Sequence, residues 1–510
     1  MKKQSKTLII FAGVLAVLVA ALAISSQLPG NEPEETTMTT RPAIDPVFEA
    51  ELSDVSRIDI VNPDDQFSLV PDEVTDDNGS KRIWQIEGME DFPFSSRAIE
   101  QIANVALVVY TSTEIETNAQ DLDQYGLENP ETTFTVTLNN GDRHVIKFGR
   151  ELVSGNFDYV MLDDTGRVCT VASATGNRIR QTRLDLVDDG MVLNIDLEEL
   201  SMFTFERARD DVKIVTECTL MGELGSGTEY FDFNVLEPIR RPGSPEGLMR
   251  LLEEALNISV SRFVEINPED LSQYGLDQPQ YVFQLEAGAD QALISLGAKA
   301  DGNHFYAISS QIPAVFTVRA DAFATIDMRV TDMLDRFVQL ISIWSVDRIE
   351  ADILGTEFVV DITMDQDQRA TDEEVEFELN GEDAKIFNER NRSLFTPFYQ
   401  SIIGVMMAGL DVDAAPDLDA EARIVFHLKP DPGNDMPERQ QVVEFTARDA
   451  YTYYVFIDGE YSGFYIDGNA AFHSKRADSE GILVALDMLK YAMEHAVDGV
   501  FNTQEGYQLD

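Results

Sequence analysis

Five histidines, two cysteines and 92 acidic side chains are the groups in this 510-residue chain whose chemistry could do work. Their spacing argues against most of it. His144, His304, His427, His473 and His495 show neither the i, i+4 pairing nor the Cys-x-x-Cys arrangement that a zinc site needs. His144 alternates with Ile146 and Phe148, which puts it on the apolar side of a strand, and Ala292 stands at the matching place 148 residues later. That exchange fits packing better than proton transfer. Two thiols in so long a chain do not make a disulfide scaffold. Cys169 lies in the alternating run Val168-Cys169-Thr170-Val171, so a buried free thiol is expected, with a bridge to Cys218 as the lesser alternative.

The acids offer two clusters. Asp365, Asp367 and Glu376 fall at positions 1, 3 and 12 of a calcium loop, but Arg369 occupies position 5 and Ala370 the place of the required Gly, so an EF-hand is rejected. Asp411, Asp413, Asp417 and Asp419 could hold a weakly bound divalent cation, although a solvated acidic loop is the simpler reading. A glycosidase pair cannot be singled out from 92 carboxylates. Phosphate-binding Gly-x-x-x-x-Gly-Lys-Ser/Thr, dinucleotide-binding Gly-x-Gly-x-x-Gly after a strand, Gly-x-Ser-x-Gly and Ser-x-x-Lys are all missing. The run Gly222-Glu223-Leu224-Gly225-Ser226-Gly227 carries an acid and precedes a strand, so it reads as a turn and not as a phosphate cradle. No catalytic, cofactor-binding or metal-binding residue is therefore assigned, and no cofactor.

The net charge of −54, from 38 basic and 92 acidic residues, excludes a polyphosphate-binding surface and repels anionic lipid. At 44% hydrophobic the chain still has ample material for cores, and its length suggests about three domains. Residues 1–30 contain Lys2, Lys3 and Lys6 and no acid. Leu8 to Ile24 is an unbroken apolar run of 17 residues, about 26 Å as a helix, near the lower limit for spanning a bilayer. An uncleaved signal anchor over residues 1–24 is favoured over a signal peptide cut after Ala21-Leu22-Ala23, because that cut would fall inside the apolar run. The lysines stay cytoplasmic and the body lies outside the cytoplasm. Residues 25–46, rich in Pro, Thr and Glu, read as a disordered tether.

The elements beyond the tether repeat. Leu122-Asp123-Gln124-Tyr125-Gly126-Leu127-Glu128-Asn129-Pro130 returns as Leu271-Ser272-Gln273-Tyr274-Gly275-Leu276-Asp277-Gln278-Pro279, an offset of 149. A helix stripe precedes each copy at the same offset: Ile99, Ile102, Ala103, Ala106 and Leu107, then Leu248, Leu251, Leu252, Ala255 and Leu256. Ser244 caps the second helix and Pro245 opens it. After each turn comes a hairpin of alternating strands, the first around Asn140-Gly141, ending in Gly149 or Gly297, and then a strand beginning Tyr159-Val160 or Tyr306-Ala307. The turn glycine is expected at positive φ, and the proline at an edge or first-strand position. A divergent third copy starts at Val346-Asp347-Arg348-Ile349, an echo of Val55-Ser56-Arg57-Ile58. Its helix stripe is Phe395, Phe398, Tyr399, Ile402 and Ile403, interrupted by Pro397, and residues 411–420 replace the Tyr-Gly-Leu turn. A last helix over Ile482, Ala485, Leu486, Leu489 and Met493 should stop at Gly499. The fold class is α+β, with three tandem modules of antiparallel meander and packed helix over residues 47–198, 199–343 and 344–510, after an N-terminal transmembrane helix.

The Leu-x-x-Tyr-Gly-Leu-x-x-Pro turn, with its hairpin and Tyr-initiated strand, resembles the bacterial family catalogued as domain of unknown function 4340, over residues 82–190 and 230–338, with the third module more divergent. The resemblance implies a single-pass extracytoplasmic protein working beside ABC-transporter permeases, and it brings no catalytic residues. The expected function is a non-enzymatic, membrane-anchored accessory or scaffold component of an envelope ABC-type transport system. Its expected partners are the membrane, through the N-terminal helix, and a permease or another envelope protein, but not nucleic acid. An extracytoplasmic binding module for divalent cations or cell-wall polymer is the alternative, and an envelope hydrolase comes last.

Overall fold

Alternation of apolar and polar residues governs most of the chain, and it folds mainly as antiparallel β-sheet. In the strand Tyr281–Ala287, for example, Tyr281, Phe283, Leu285 and Ala287 are buried while the residues between them are partly exposed. The structure, a computed structural model, describes residues 46–76, 79–222, 229–364, 375–431, 436–476 and 479–502. The expected membrane helix (1–24), almost all of the tether, the glycine-rich run 223–227 and the acids Asp365 and Asp367 lie outside these residues. Among the described residues no helix is long and apolar enough to cross a membrane.

Three large sheets of eight, nine and nine strands repeat one strand order. The first runs Gly79–Ile86, Gln66–Asp76, Val55–Val61, Thr132–Leu138, Arg143–Glu151, Phe157–Leu162, Val168–Ala172, Thr113–Glu116. The second runs Arg241–Pro242, Tyr230–Glu237, Val212–Met221, Leu200–Arg207, Tyr281–Ala287, Asp290–Lys299, His304–Ser309, Ile312–Arg319, Val260–Ile266. The third runs Glu382–Asp383, Glu376–Leu379, Thr356–Thr363, Val346–Ile353, Ala420–Leu428, Arg439–Ala447, Thr452–Ile457, Glu460–Asp467, Met407–Leu410. In each, the module's opening strand sits mid-sheet and pairs with the first strand of the meander, as Ile58 with Val136, Phe205 with Phe283 and Ile349 with Phe426. The third module, despite its different turn, is thus a full copy.

Six α-helices accompany the sheets among the described residues: α1 (Ser96–Leu107), α2 (Ser173–Ile179), α3 (Pro245–Leu256), α4 (Val330–Met333), α5 (Phe395–Ile403) and α6 (Ile482–His495). Ser95 caps α1 by accepting the Ala98 N–H, and Ser244 does the same for Gly247 in α3. The expected stripe of α1 is buried in full, and that of α3 all but Leu256. Pro397 does not break α5, because it falls in the first turn, where a backbone N–H has no intrahelical acceptor to lose. α6 ends at His495, short of Gly499. Pro130 and Pro279 stand just ahead of strands that are interior to their sheets, so the missing N–H costs the ladder nothing.

The chain divides into two compact units, one built from residues up to Glu90 together with Ser95–Leu186, the other from Asp91–Phe94 together with Val187 onward. In the second unit the second and third sheets share one continuous core, in which Phe203, Phe205, Phe283 and Phe316 of one module and Phe358, Phe377, Phe398 and Phe426 of the other are fully buried. Each such ring is worth about 2–3 kcal/mol relative to exposure.

Candidate functional site

The repeated turn is the natural place to look for a site, because most of its unusual residue choices fall there. Asp123–Tyr125 and Ser272–Tyr274 are single 3-10 turns, each ended by a left-handed glycine, Gly126 at φ 69° and Gly275 at φ 65°. The Leu127 N–H then donates to the Leu122 carbonyl at 3.0 Å, and the Leu276 N–H to the Leu271 carbonyl at 3.1 Å. Both latter leucines of the motif, Leu127 and Leu276, are buried. The hairpin glycines have a separate reason. A Cβ on Gly149 would lie 2.1 Å from the Tyr125 carbonyl oxygen, and one on Gly297 2.3 Å from that of Tyr274, so the turn rests directly on the sheet backbone.

The motif tyrosines are locked as well. Tyr125 donates its hydroxyl to Glu116 Oε2 at 2.9 Å, and Tyr274 donates to Glu265 Oε2 at 2.6 Å. Each ring stands edge-on against the tyrosine of the third meander strand, Tyr159 or Tyr306, with centroids 4.9 Å apart in both modules. The bond from Glu116 and then burial raise the Tyr125 phenol, while burial and then Glu265 push Tyr274 up to about 12. These phenols stay protonated, and the leucines, tyrosines and glycine of the motif fasten the turn.

In the third module the same place is built differently. Phe148, Leu296 and Phe445 share one register position, opposite Val160, Ala307 and Val455, so Thr446 stands where Gly149 and Gly297 stand. With no tyrosine carbonyl above it, a side chain fits. Asp411 takes the centre: its carboxylate accepts from Arg448 Nε and from the Tyr454 hydroxyl, both at 3.2 Å, and its carbonyl accepts from the Tyr461 hydroxyl at 2.7 Å. The Arg448 guanidinium also lies 4.2 Å from the centroid of the Tyr465 ring. Asp411 is thereby separated in role from Asp413, Asp417 and Asp419, which are exposed. Arg448 and Tyr454 approach Asp411 only through the meander, so no local sequence pattern marks them.

Beside this cluster the second unit has two adjoining clefts that share Pro238 and Val412. One, of about 640 Å³, is lined by Arg240, Arg241, Gln339, Glu460, Tyr461 and Phe464 among others. The other, of about 570 Å³, includes Asp211, Lys213, Glu237, Asp411 and Asp413. Arg241 donates to the Phe337 carbonyl at 2.5 Å and lies 4.9 Å from the Phe464 centroid, and burial lowers its pKa. A larger cavity of about 780 Å³ lies under Arg336, Met406, Met407, Arg476 and Glu480, and burial raises the Glu480 carboxyl.

The histidines are dispersed. His144 Nδ1 is 3.4 Å from Asp163, His304 Nδ1 3.0 Å from Asp301 and His427 Nε2 3.3 Å from Glu350. His495 contacts the Tyr491 carbonyl at 2.9 Å, and His473 closes a π-helical turn, Asn469–His473. Both cysteines are buried free thiols, and burial pushes Cys218 up to about 12. Among the described residues no group of three or more His, Cys, Asp or Glu is placed to hold a metal ion.

Comparison with known proteins gives a match to the family model described as domain of unknown function (DUF4340), over residues 84–217 and 236–388. Each match begins in the strand before a module's long helix and runs on into the opening strands of the following sheet. No curated protein and no solved structure matches the chain.

Proposed function

We propose, from the premise that the chain belongs to the DUF4340 family, that it is a non-enzymatic, membrane-anchored extracytoplasmic protein serving as an accessory or scaffold component of an envelope ABC-type transport system. The observation that supports this most is how the family-type turn is used. Its glycines and tyrosines fasten a turn onto a sheet in both modules, with the tyrosine ring centroids 4.9 Å apart each time, as a repeated binding framework would. Lys2, Lys3 and Lys6 ahead of the Leu8 to Ile24 run support the anchor and its orientation. Three sheets with open edges offer surfaces of the kind partners use by strand addition or docking.

The test is affinity purification of the tagged full chain from detergent-solubilised membranes, followed by identification of what comes with it. The expected result is co-purification of an ABC permease or its ATPase in stoichiometric amount. Recovery of the chain from the membrane with neither partner overturns the transport reading, and recovery from the soluble fraction overturns the anchor.

A further inference from the structure

The three modules differ at the exit of the long helix. In module 1 the segment entering the module folds back on this exit as a short antiparallel strand: Phe48 pairs with Val109 and Glu49 with Val108. The Val47 N–H donates to the Val109 carbonyl and the Ala50 N–H to the Leu107 carbonyl, both at 2.9 Å. Module 3 does the same. Phe337 bridges Met406, the Val338 N–H donates to the Val405 carbonyl at 2.8 Å, and the Met407 N–H donates to the Arg336 carbonyl at 2.7 Å. Covered in this way, Val109 is 0% exposed and Val405 4%.

Module 2 leaves the same place uncovered by its entering segment. That segment is drawn instead to the hairpin at Ser309–Ile312: the Ser309 hydroxyl donates to the Val192 carbonyl at 2.6 Å, and Asn194 exchanges two bonds with the Gln311 amide, at 2.6 and 2.8 Å. The residue equivalent to Val109 is Ile258, two after the end of α3, and it is only half-buried, beside the exposed Ser259. Among the described residues no backbone bond from another segment reaches Ile258 or Ser259. The edge strand that follows, Val260–Ile266, has seven residues where the edge strands of modules 1 and 3 have four each, and within its sheet it pairs with Ile312–Arg319 alone.

We propose that the helix exit and edge of module 2, Ile258 to Ile266, is a docking edge for an extended strand of a partner protein, apolar at its centre and flanked by Lys or Arg. The occupant follows from the molecule itself. Modules 1 and 3 show what fits, an antiparallel strand with Val and Phe at its centre. The surroundings supply the charge: Glu253, Glu265, Glu269 and Asp270 lie in and around the segment against the single exposed base Arg262, in a chain of net charge −54. Backbone bonds give the affinity and the half-buried Ile258 the apolar contact. The inference goes beyond the proposed function, because it holds for any partner that carries such a strand.

The test uses the full chain and a capped synthetic peptide, Lys-Lys-Val-Phe-Val-Lys, at about 1 mM, the range of a small interface. Amide hydrogen exchange of the segment 258–266 is expected to slow about tenfold with the peptide, while a version N-methylated at alternate residues gives no protection. Ile258→Lys keeps the backbone but adds a like charge and an exposed stem, and it should weaken protection about tenfold with exchange elsewhere unchanged. Three outcomes would overturn the proposal: no protection of 258–266, equal protection by the N-methylated peptide, or equal binding by the Ile258→Lys chain.

Discussion

Modules 1 and 2 fasten the crossover turn with glycine and a buried carbonyl contact, whereas module 3 fastens the same crossover with an ion pair and aromatic rings. The two solutions meet the same requirement, since the strand order is the same in all three sheets. They differ in what they tolerate. Backbone resting on backbone has no slack, because Gly149 and Gly297 have no side chain to shift. Module 3 keeps Thr446 at that position and spreads the work over Asp411, Arg448, Tyr454 and Tyr461, any of which can move by rotamer change. The sharp motif belongs to the rigid solution, and the flexible solution leaves none.

The largest test of this contrast is Gly297→Val. Its Cβ must displace either the Tyr274 carbonyl or the strand, at a cost of about 3 kcal/mol. The measurement is the urea midpoint of the full chain. Thr446→Val, the matched change in module 3, should lower the stability read from that midpoint by less than about 1 kcal/mol, since the new methyl replaces a hydroxyl that is buried without a partner. Equal losses at both positions would remove the distinction between the two designs.

Next in size are the tyrosines. Tyr274→Phe removes a bond to a carboxylate and should cost about 1–2 kcal/mol. Tyr454→Phe should cost less, because Asp411 keeps Arg448 as a partner. A pH series sharpens this. Tyr274 is raised from the ordinary 10.0 to about 12, so the folded state holds a proton that the unfolded state loses first. Its contribution is complete below pH 10 and is lost as pH climbs from 10 toward 12. Glu265→Gln should bring the Tyr274 titration, followed by ultraviolet difference absorbance, back toward 10 by removing the charged acceptor. A titration unmoved by that change would leave burial as the main cause.

Much of this framework is legible in the residues. The offset of 149 locates two sheets, and the i, i+3, i+4 stripes locate the faces of α1 and α3 because burial there is one-sided. The edge strands Thr113–Glu116, Val260–Ile266 and Met407–Leu410 escape a period-two reading because each is bulged, so the alternation slips by one residue within it. The fastening of module 3 escapes for another reason. Asp411 and Arg448 are brought together by the long hairpin 420–447, and nothing local in an acidic loop marks which aspartate will find the arginine. The turn glycines were readable as positive φ, but the close approach at Gly149 and Gly297 depends on a carbonyl more than twenty residues away in sequence.

The smallest expected effect is at Arg448, and it is the one that separates charge from packing. Its guanidinium serves Asp411 through Nε and Tyr465 through the ring face, so Arg448→Gln removes the charge from both while Arg448→Lys keeps it but loses the planar fit. If the ion pair dominates, Arg448→Lys should sit close to the native chain in thermal midpoint and the native midpoint should fall with added salt. If stacking dominates, Arg448→Lys and Arg448→Gln should fall together and salt should have no effect. The partial exposure of Arg448 and Asp411 leaves the pair open to screening, which favours the second outcome. In that case module 3 replaces a glycine contact with an aromatic one.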